Sequence, residues 1–474
     1  MTRANGVRGG RRRSAGTISL LGLVVVSLVL AGCDWTTWGG GSERQNYGAF
    51  ESGIGVGNAA SLAQAWSTDL GANIDAAPVV AAAVDVGGTK RDLAYLGTEH
   101  GLFAAVDVHD GTIVWFKQYS AKTIDCGESP DHIFGIEGAA TIDRETNRVY
   151  VADVDGLVHA LDLGTGTEVS GWPVSITSDP DHNFVLGGLD FSQGWLYVGT
   201  ASHCDLEPYS GQIVSIDTKT ARLNHAFNIT DGTGRRGGSV WGWGGVSVDP
   251  VSGDVFAATG NAVAGAETYG YADHVVRLTR GLTPVASDAP PTTVFDDDFG
   301  STPVLYQRKG CPAQLAAMRK DGFLYVYDRD TIASGPRQSI PMSGFPYAFI
   351  GVAAYAPDTN TLYVANPIAR DPGFFYNGMV AFSVGADCNL SLKWQTQAGP
   401  NVALVSSPTV ANGVVYFNDG VGKRVRAFDA ATGTPLWDSG TTITGNVFTA
   451  PVVAQGTLLA AGWDHHLHAF RPAS

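Results

Sequence analysis

Residues 149–172 read VYVADVDGLVHALDLGTGTEVSGW. An apolar run is followed by a glycine turn, a second apolar run ending in Asp, a Thr-Gly turn and a tryptophan. The same order recurs at 94–115 (AYLGTEHGLFAAVDVHDGTIVW) and at 415–437 (VYFNDGVGKRVRAFDAATGTPLW). It returns at 458–470 (LLAAGWDHHLHAF), where the chain is about to end. Weaker copies lie at 196–217, 254–279, 314–331 and 362–383. Short runs of alternating residues between glycine turns read as antiparallel strands, each burying one face. Small-residue stretches, APVV (77–80), STPVL (301–305), SSPTV (406–410) and TAPVV (449–453), suit strands crowded round an axis.

About eight units of one kind predict an all-β, eight-bladed β-propeller rather than a two-sheet sandwich. The last unit stops after three strands. The stretch LAQAWSTDL, 62–70, looks like an outer strand with no blade before it. It is expected to complete the last blade and close the ring, which removes the open sheet edges. The tryptophan of each unit is expected to pack between blades.

The N-terminus reads as a targeting segment. Arg3, Arg8, Arg11, Arg12 and Arg13 precede the apolar run ISLLGLVVVSLVLAG, 18–32, which is short for a membrane span but suits a signal-peptide core. Leu30-Ala31-Gly32-Cys33 resembles the lipobox of bacterial lipoproteins, which implies lipidation of Cys33 and cleavage before it. The division expected is thus 1–33 signal, 34–58 flexible tether and 59–474 propeller. The mature protein is expected to be exported and lipid-anchored to the cell membrane, facing the extracytoplasmic side. The Gly-, Ser-, Thr- and Asn-rich composition of 34–58 is the reason for expecting a tether.

The chain has 30 Lys and Arg against 45 Asp and Glu, a net charge of −15. Loss of the five N-terminal arginines takes the rest to about −20. Such a balance excludes nucleic acid as a natural partner, because phosphate contacts need a basic surface. A closed ring of this kind is expected to be monomeric. After Cys33, Cys126, Cys204, Cys311 and Cys388 remain, and four cysteines allow three pairings. Near-equal separations favour Cys126–Cys204 and Cys311–Cys388. No C-x-x-C-H occurs, so no attached c-type haem is expected.

The repeats resemble the pyrroloquinoline quinone repeat over nearly all of 60–474. That family contains quinoprotein alcohol dehydrogenases, which hold the quinone and a metal ion on the propeller axis. It also contains non-catalytic propellers that serve as scaffolds in the cell envelope. Three segments resemble the dehydrogenases. GGSVWGWGGVSVDPVSGDVFAATGN, 237–261, implies a stacking floor at Trp241, with Trp243 the other choice, and a metal ligand at Asn261. FDDDFGSTPVL, 295–305, implies a general base at Asp296 and an additional metal ligand at Asp298. MRKDGFLYVYDRDT, 318–331, implies that Lys320 contacts the quinone carbonyls. Glu207, in TASHCDLEPYSG (200–211), stands where a metal-binding glutamate is expected.

An aromatic floor for a flat quinone and oxygen donors for calcium or a lanthanide are chemically reasonable. The resemblance therefore implies pyrroloquinoline quinone and calcium or a lanthanide as cofactors, and oxidation of a small alcohol or sugar. The departures point the other way. The adjacent cysteines that cover the quinone in the dehydrogenases are reduced to Cys126 alone in that region. PYAFIGVAAYAP, 346–357, lacks the family's Asn-Trp. A non-catalytic propeller with a protein partner at the cell envelope is the alternative these departures favour.

Overall fold

In a computed structural model the strands fall where glycine turns interrupt apolar alternation. The structure describes residues 34–473, except 52, 231–235, 264–269, 292–295, 345–350, 371–374, 402–403 and 405. Cys33 and the signal segment lie outside the described residues. Part of PYAFIGVAAYAP does too. No helix among the described residues is long and apolar enough to cross a membrane.

Eight antiparallel sheets form the blades of a propeller. The segment at 149–172 belongs to the second blade, built from Thr141–Asp143, Arg148–Ala152, Leu157–Asp162 and Val174–Ser175. Arg148 pairs with Asp162 and Ala152 with Val158, so the glycine turn sits between matched strands. The first strands of all blades but one are almost wholly buried, as is the start of Val79–Val86 in the first blade, while outer strands such as Ile113–Gln118 and Arg222–Asn228 are largely exposed. First strands of neighbouring blades touch, which places them round the axis. The ring closes as expected. Leu62–Asp69 pairs with His466–Pro472 as the fourth strand of a blade whose other strands are Val452–Ala454 and Thr457–Ala461.

The Thr-Gly-…-Trp signature has a packing cause. Trp115 leaves the first blade and donates from Nε1 to the carbonyl of Leu163 in the second, at 2.9 Å. Its ring lies on Gly166, where a Cβ would come within 2.6 Å of it. Gly166 also has φ of +65°, a conformation that favours glycine. Trp66 packs on Gly111 and Trp394 on Gly433 in the same manner. The glycine of one unit is therefore demanded by the tryptophan of the unit before it. Both expected disulfides form, Cys126–Cys204 and Cys311–Cys388.

Residues 34–58 differ from the expected tether. Trp35, Trp38, Arg44 and Asn46 are buried. The segment circles one mouth of the axial channel and touches each blade in turn. Trp35 exchanges two backbone hydrogen bonds with Val80 in the first blade, and the Thr36 carbonyl accepts from Ile142 in the second. Thr37 donates to Leu189 in the third. The carbonyls of Ser42, Glu43, Gln45 and Asn46 accept from Val248, Leu305, Tyr355 and Val410 in the next four. Glu51 accepts from Gly456 in the last, at 3.1 Å. Composition misleads here because a chain rich in small polar residues can lie along many strand ends and satisfy their backbone groups. Arg44 and Asp190, paired at 3.4 Å and wholly buried, fix its middle.

Candidate functional site

The other mouth of the channel holds a cavity of about 430 Å³. Its wall is built by register. The residue four before the first strand of a blade is Asp75, Glu137, Leu186, Trp243 and Phe448 in blades 1, 2, 3, 4 and 8, and all five line the cavity. Glu99 and Trp463 each stand two residues beyond a second strand and complete the wall beside Trp241, Glu128 and His203.

The acids of this wall are held tightly. Trp463 donates from Nε1 to Asp75 at 2.9 Å. Glu99 accepts from Ser129 Oγ at 2.7 Å and Asn73 Nδ2 at 3.1 Å. Burial, reinforced by the charge of Asp75 and then Glu137, pushes the Glu99 carboxyl up to about 10, so it keeps its proton at neutral pH. Burial likewise pushes Glu137 up to about 7, against the pull of His203. His203 lies between Glu128, 2.9 Å from Nδ1, and Glu137, 3.4 Å from Nε2. Burial opposes its charge, but these carboxylates outweigh that and raise its affinity for a proton. The Cys126–Cys204 disulfide joins the loop of Glu128 to the loop of His203.

The residues expected from the sequence fall partly beside this cavity. Trp241 and Trp243 line it. Trp241 donates from Nε1 to Asp298 at 2.7 Å. Lys320 Nζ sits 2.6 Å from Asp296 and 2.9 Å from Asp298, and 4.7 Å from the centre of the Trp241 ring. Burial raises the Asp298 carboxyl to about 6, with Lys320 restraining the rise. Burial lifts nearby Asp273 to about 7, helped by the charge of Asp298. Asn261 is buried, and the adjacent Gly260 packs against Asp298 Oδ2. Glu207 does not join this group. It is 49% exposed and pairs with Arg236 at 3.3 Å.

Pyrroloquinoline quinone carries three carboxylates, and they need cationic partners. Among the described residues the cavity wall presents four carboxyl side chains, from Asp75, Glu99, Glu128 and Glu137, and His203 is already held between two of them. Lys320 is taken by Asp296 and Asp298. The donor set does not fit a trianionic quinone. Asn261, Asp296 and Asp298 offer the oxygen atoms that calcium prefers, but an ammonium already bridges the two carboxylates.

The acids lie outside the segments that resemble the dehydrogenases, and His203, within TASHCDLEPYSG, carries no mark of its own. Their signal was positional. Asp75-Ala-Ala-Pro and Phe448-Thr-Ala-Pro stand in the same register of their repeats. Aligning the repeats on the proline places both residues on the channel wall.

Residues 391–474 match a pyrroloquinoline-quinone-repeat family described as outer membrane protein assembly factor BamB. No curated protein sequence matches the chain. Among solved structures, the chain is similar to a quinohemoprotein alcohol dehydrogenase from Pseudomonas putida HK5, with 16% identity and a TM-score of 0.72, over 96% of this chain and 82% of that one. A europium-containing methanol dehydrogenase gives 15% and 0.71, over 94% of this chain and 100% of the other. BamB from Moraxella catarrhalis gives 15% and 0.55, over 86% and 97%. At such identities the likeness is one of fold.

Proposed function

We propose that this chain, a β-propeller of the quinoprotein-like, pyrroloquinoline-quinone-repeat type, works outside the cytoplasm as a lipid-anchored binding protein that takes a small ligand into its axial cavity. The observation that carries this reading is the asymmetry of the channel. One mouth is ringed by residues 34–51, and the other opens on a cavity walled by rings and fixed carboxyl groups. Concave sites with few, well-placed polar groups are the usual seats of small ligands.

The anchor belongs to the ringed face. Cys33 would precede Asp34, whose carboxylate accepts from the Ala82 amide at 2.7 Å and pairs with Arg144 at 2.9 Å. Phe50, 67% exposed, lines a groove with Asp34 and Trp35 on that same face. The lipid therefore holds the ringed face to the bilayer and turns the cavity away from it. Tryptophan fluorescence titrated with polyols, amines and carboxylates tests the cavity; no saturation by any class would overturn the binding role. Cys33→Ser should move the protein from the membrane fraction to the soluble one, and unchanged partition would remove the anchor.

A second reading, a dehydrogenase of alcohols or sugars, is favoured by the cluster of Trp241, Lys320, Asp296 and Asp298. Saturable, one-to-one uptake of pyrroloquinoline quinone with calcium or a lanthanide, weakened by Trp241→Ala, would establish it over the binding role.

A further inference from the structure

The geometry points to a small organic cation, an ammonium or quaternary ammonium compound, as the ligand of the axial cavity. It would be held against the rings of Trp463 and Phe448 and neutralised by Asp75 and Glu137. This rests on the reading of the cavity as a ligand site and names the chemistry of what enters it.

Two independent features of the wall agree. The first is aromatic. Trp463 and Phe448 meet edge to face with centroids 5.1 Å apart, and Trp241 and Trp243 stand on the same wall. Ring faces attract cations, and the attraction grows when water is excluded. The Asp75 carboxylate that accepts from Trp463 Nε1 adds electron density at the ring's edge.

The second feature is an unbalanced charge. The titratable groups facing the cavity are Asp75, Glu99, Glu128, Glu137 and His203. His203 lies between Glu128 and Glu137, and among the described residues lining the cavity no other cationic side chain faces Asp75 and Glu99. Burial and the neighbouring Asp75 push Glu99 up to about 10, and burial pushes Glu137 up to about 7, so both tend to hold a proton. A bound cation supplies the missing charge, so a proton leaves as the ligand enters.

A metal ion fits less well. Divalent metals need several oxygen ligands converging within a few ångström. Among the described residues the one group with ligand atoms that close is Cys126, Glu128 and Cys204, and its two sulfurs are spent on the disulfide. The cavity, about 430 Å³, is of a size for an organic molecule.

The test is calorimetry on the purified protein with tetramethylammonium and choline. The probe 3,3-dimethylbutanol, choline's uncharged isostere, is the control. One-to-one saturation by a cationic probe is expected, with the isostere at least about tenfold weaker. Because the ligand competes with a proton on Glu137, affinity should rise about tenfold from pH 6 to pH 8. Glu137→Gln should flatten that rise and Trp463→Leu should weaken binding about tenfold; Asp75→Asn serves if Glu137→Gln does not fold. Equal binding of the isostere, affinity falling with pH, or calcium saturating the site in place of the ammonium probes would overturn the proposal. If a neutral polyol saturates the cavity and no cation does, the proposal fails and the ligand site stands. If nothing binds, both fail.

Discussion

Arg44 shows how much rests on single side chains in the encircling segment. It has no exposed surface, and it donates to the carbonyls of Trp38, Leu189 and Val246 and to Thr37 Oγ1. Burial lowers its affinity for a proton and raises that of Asp190, while each charge restrains the other's shift. A buried pair gains little over a well-packed apolar one, yet removing one partner strands the other charge. Arg44→Met is therefore expected to cost about 3–5 kcal/mol in urea unfolding. Adding Asp190→Leu to it should recover a large part. A double variant no more stable than Arg44→Met would mean that the guanidinium's carbonyl contacts, not the ion pair, hold the segment. At this scale the sequence was least legible. An arginine in GGGSERQNYG carries no mark that eight blades will close over it, since its partners lie as far away as Val246. Trp241, Lys320, Asp296 and Asp298, each within a long segment that resembles the dehydrogenases, lie together beside the cavity, while Glu207, expected without a local match, lies apart from them.

The blade is the element whose sequence signature reads most directly, because each residue of it has a local mechanical cause. Tryptophan, Thr-Gly turn and alternating strands are short-range features, and they repeat. Gly166 joins two of those causes, a positive φ and a tryptophan ring against its Cα. Gly166→Ala is expected to destabilise the protein by about 2–3 kcal/mol, above the roughly 1 kcal/mol of an ordinary glycine substitution. Trp115→Leu in the same background relieves the clash, so the alanine's added cost should shrink by about half. Additive costs in chemical denaturation would show that the ring is not what excludes a side chain there. The segment 34–58 was misread for the complementary reason. Its strand-end hydrogen bonds are all long-range, and low hydrophobicity says nothing about backbone partners.

At the scale of the whole molecule the ring is held by its ends. Leu62–Asp69 satisfies the edge of His466–Pro472, and a propeller lacking it would present that edge to other chains. Deletion of 62–69 should yield associated species in size-exclusion chromatography with light scattering, while removal of 1–33 leaves a monomer. A monomeric, cooperatively unfolding deletion variant would show that closure is dispensable.

The encircling segment also sets a clock. Its contacts run from Val80 to Gly456, so the first part of the propeller to be synthesised has its partners distributed over nearly the whole chain. At ordinary rates of translation, roughly 5–20 residues per second, on the order of a minute separates the emergence of Trp35 from that of its last blade. Through that interval the segment can settle on the early blades alone, and contacts so distant in sequence form slowly. The stretch from Gln45 to Glu51 thus stays without its partners Tyr355, Val410 and Gly456 until the propeller is complete.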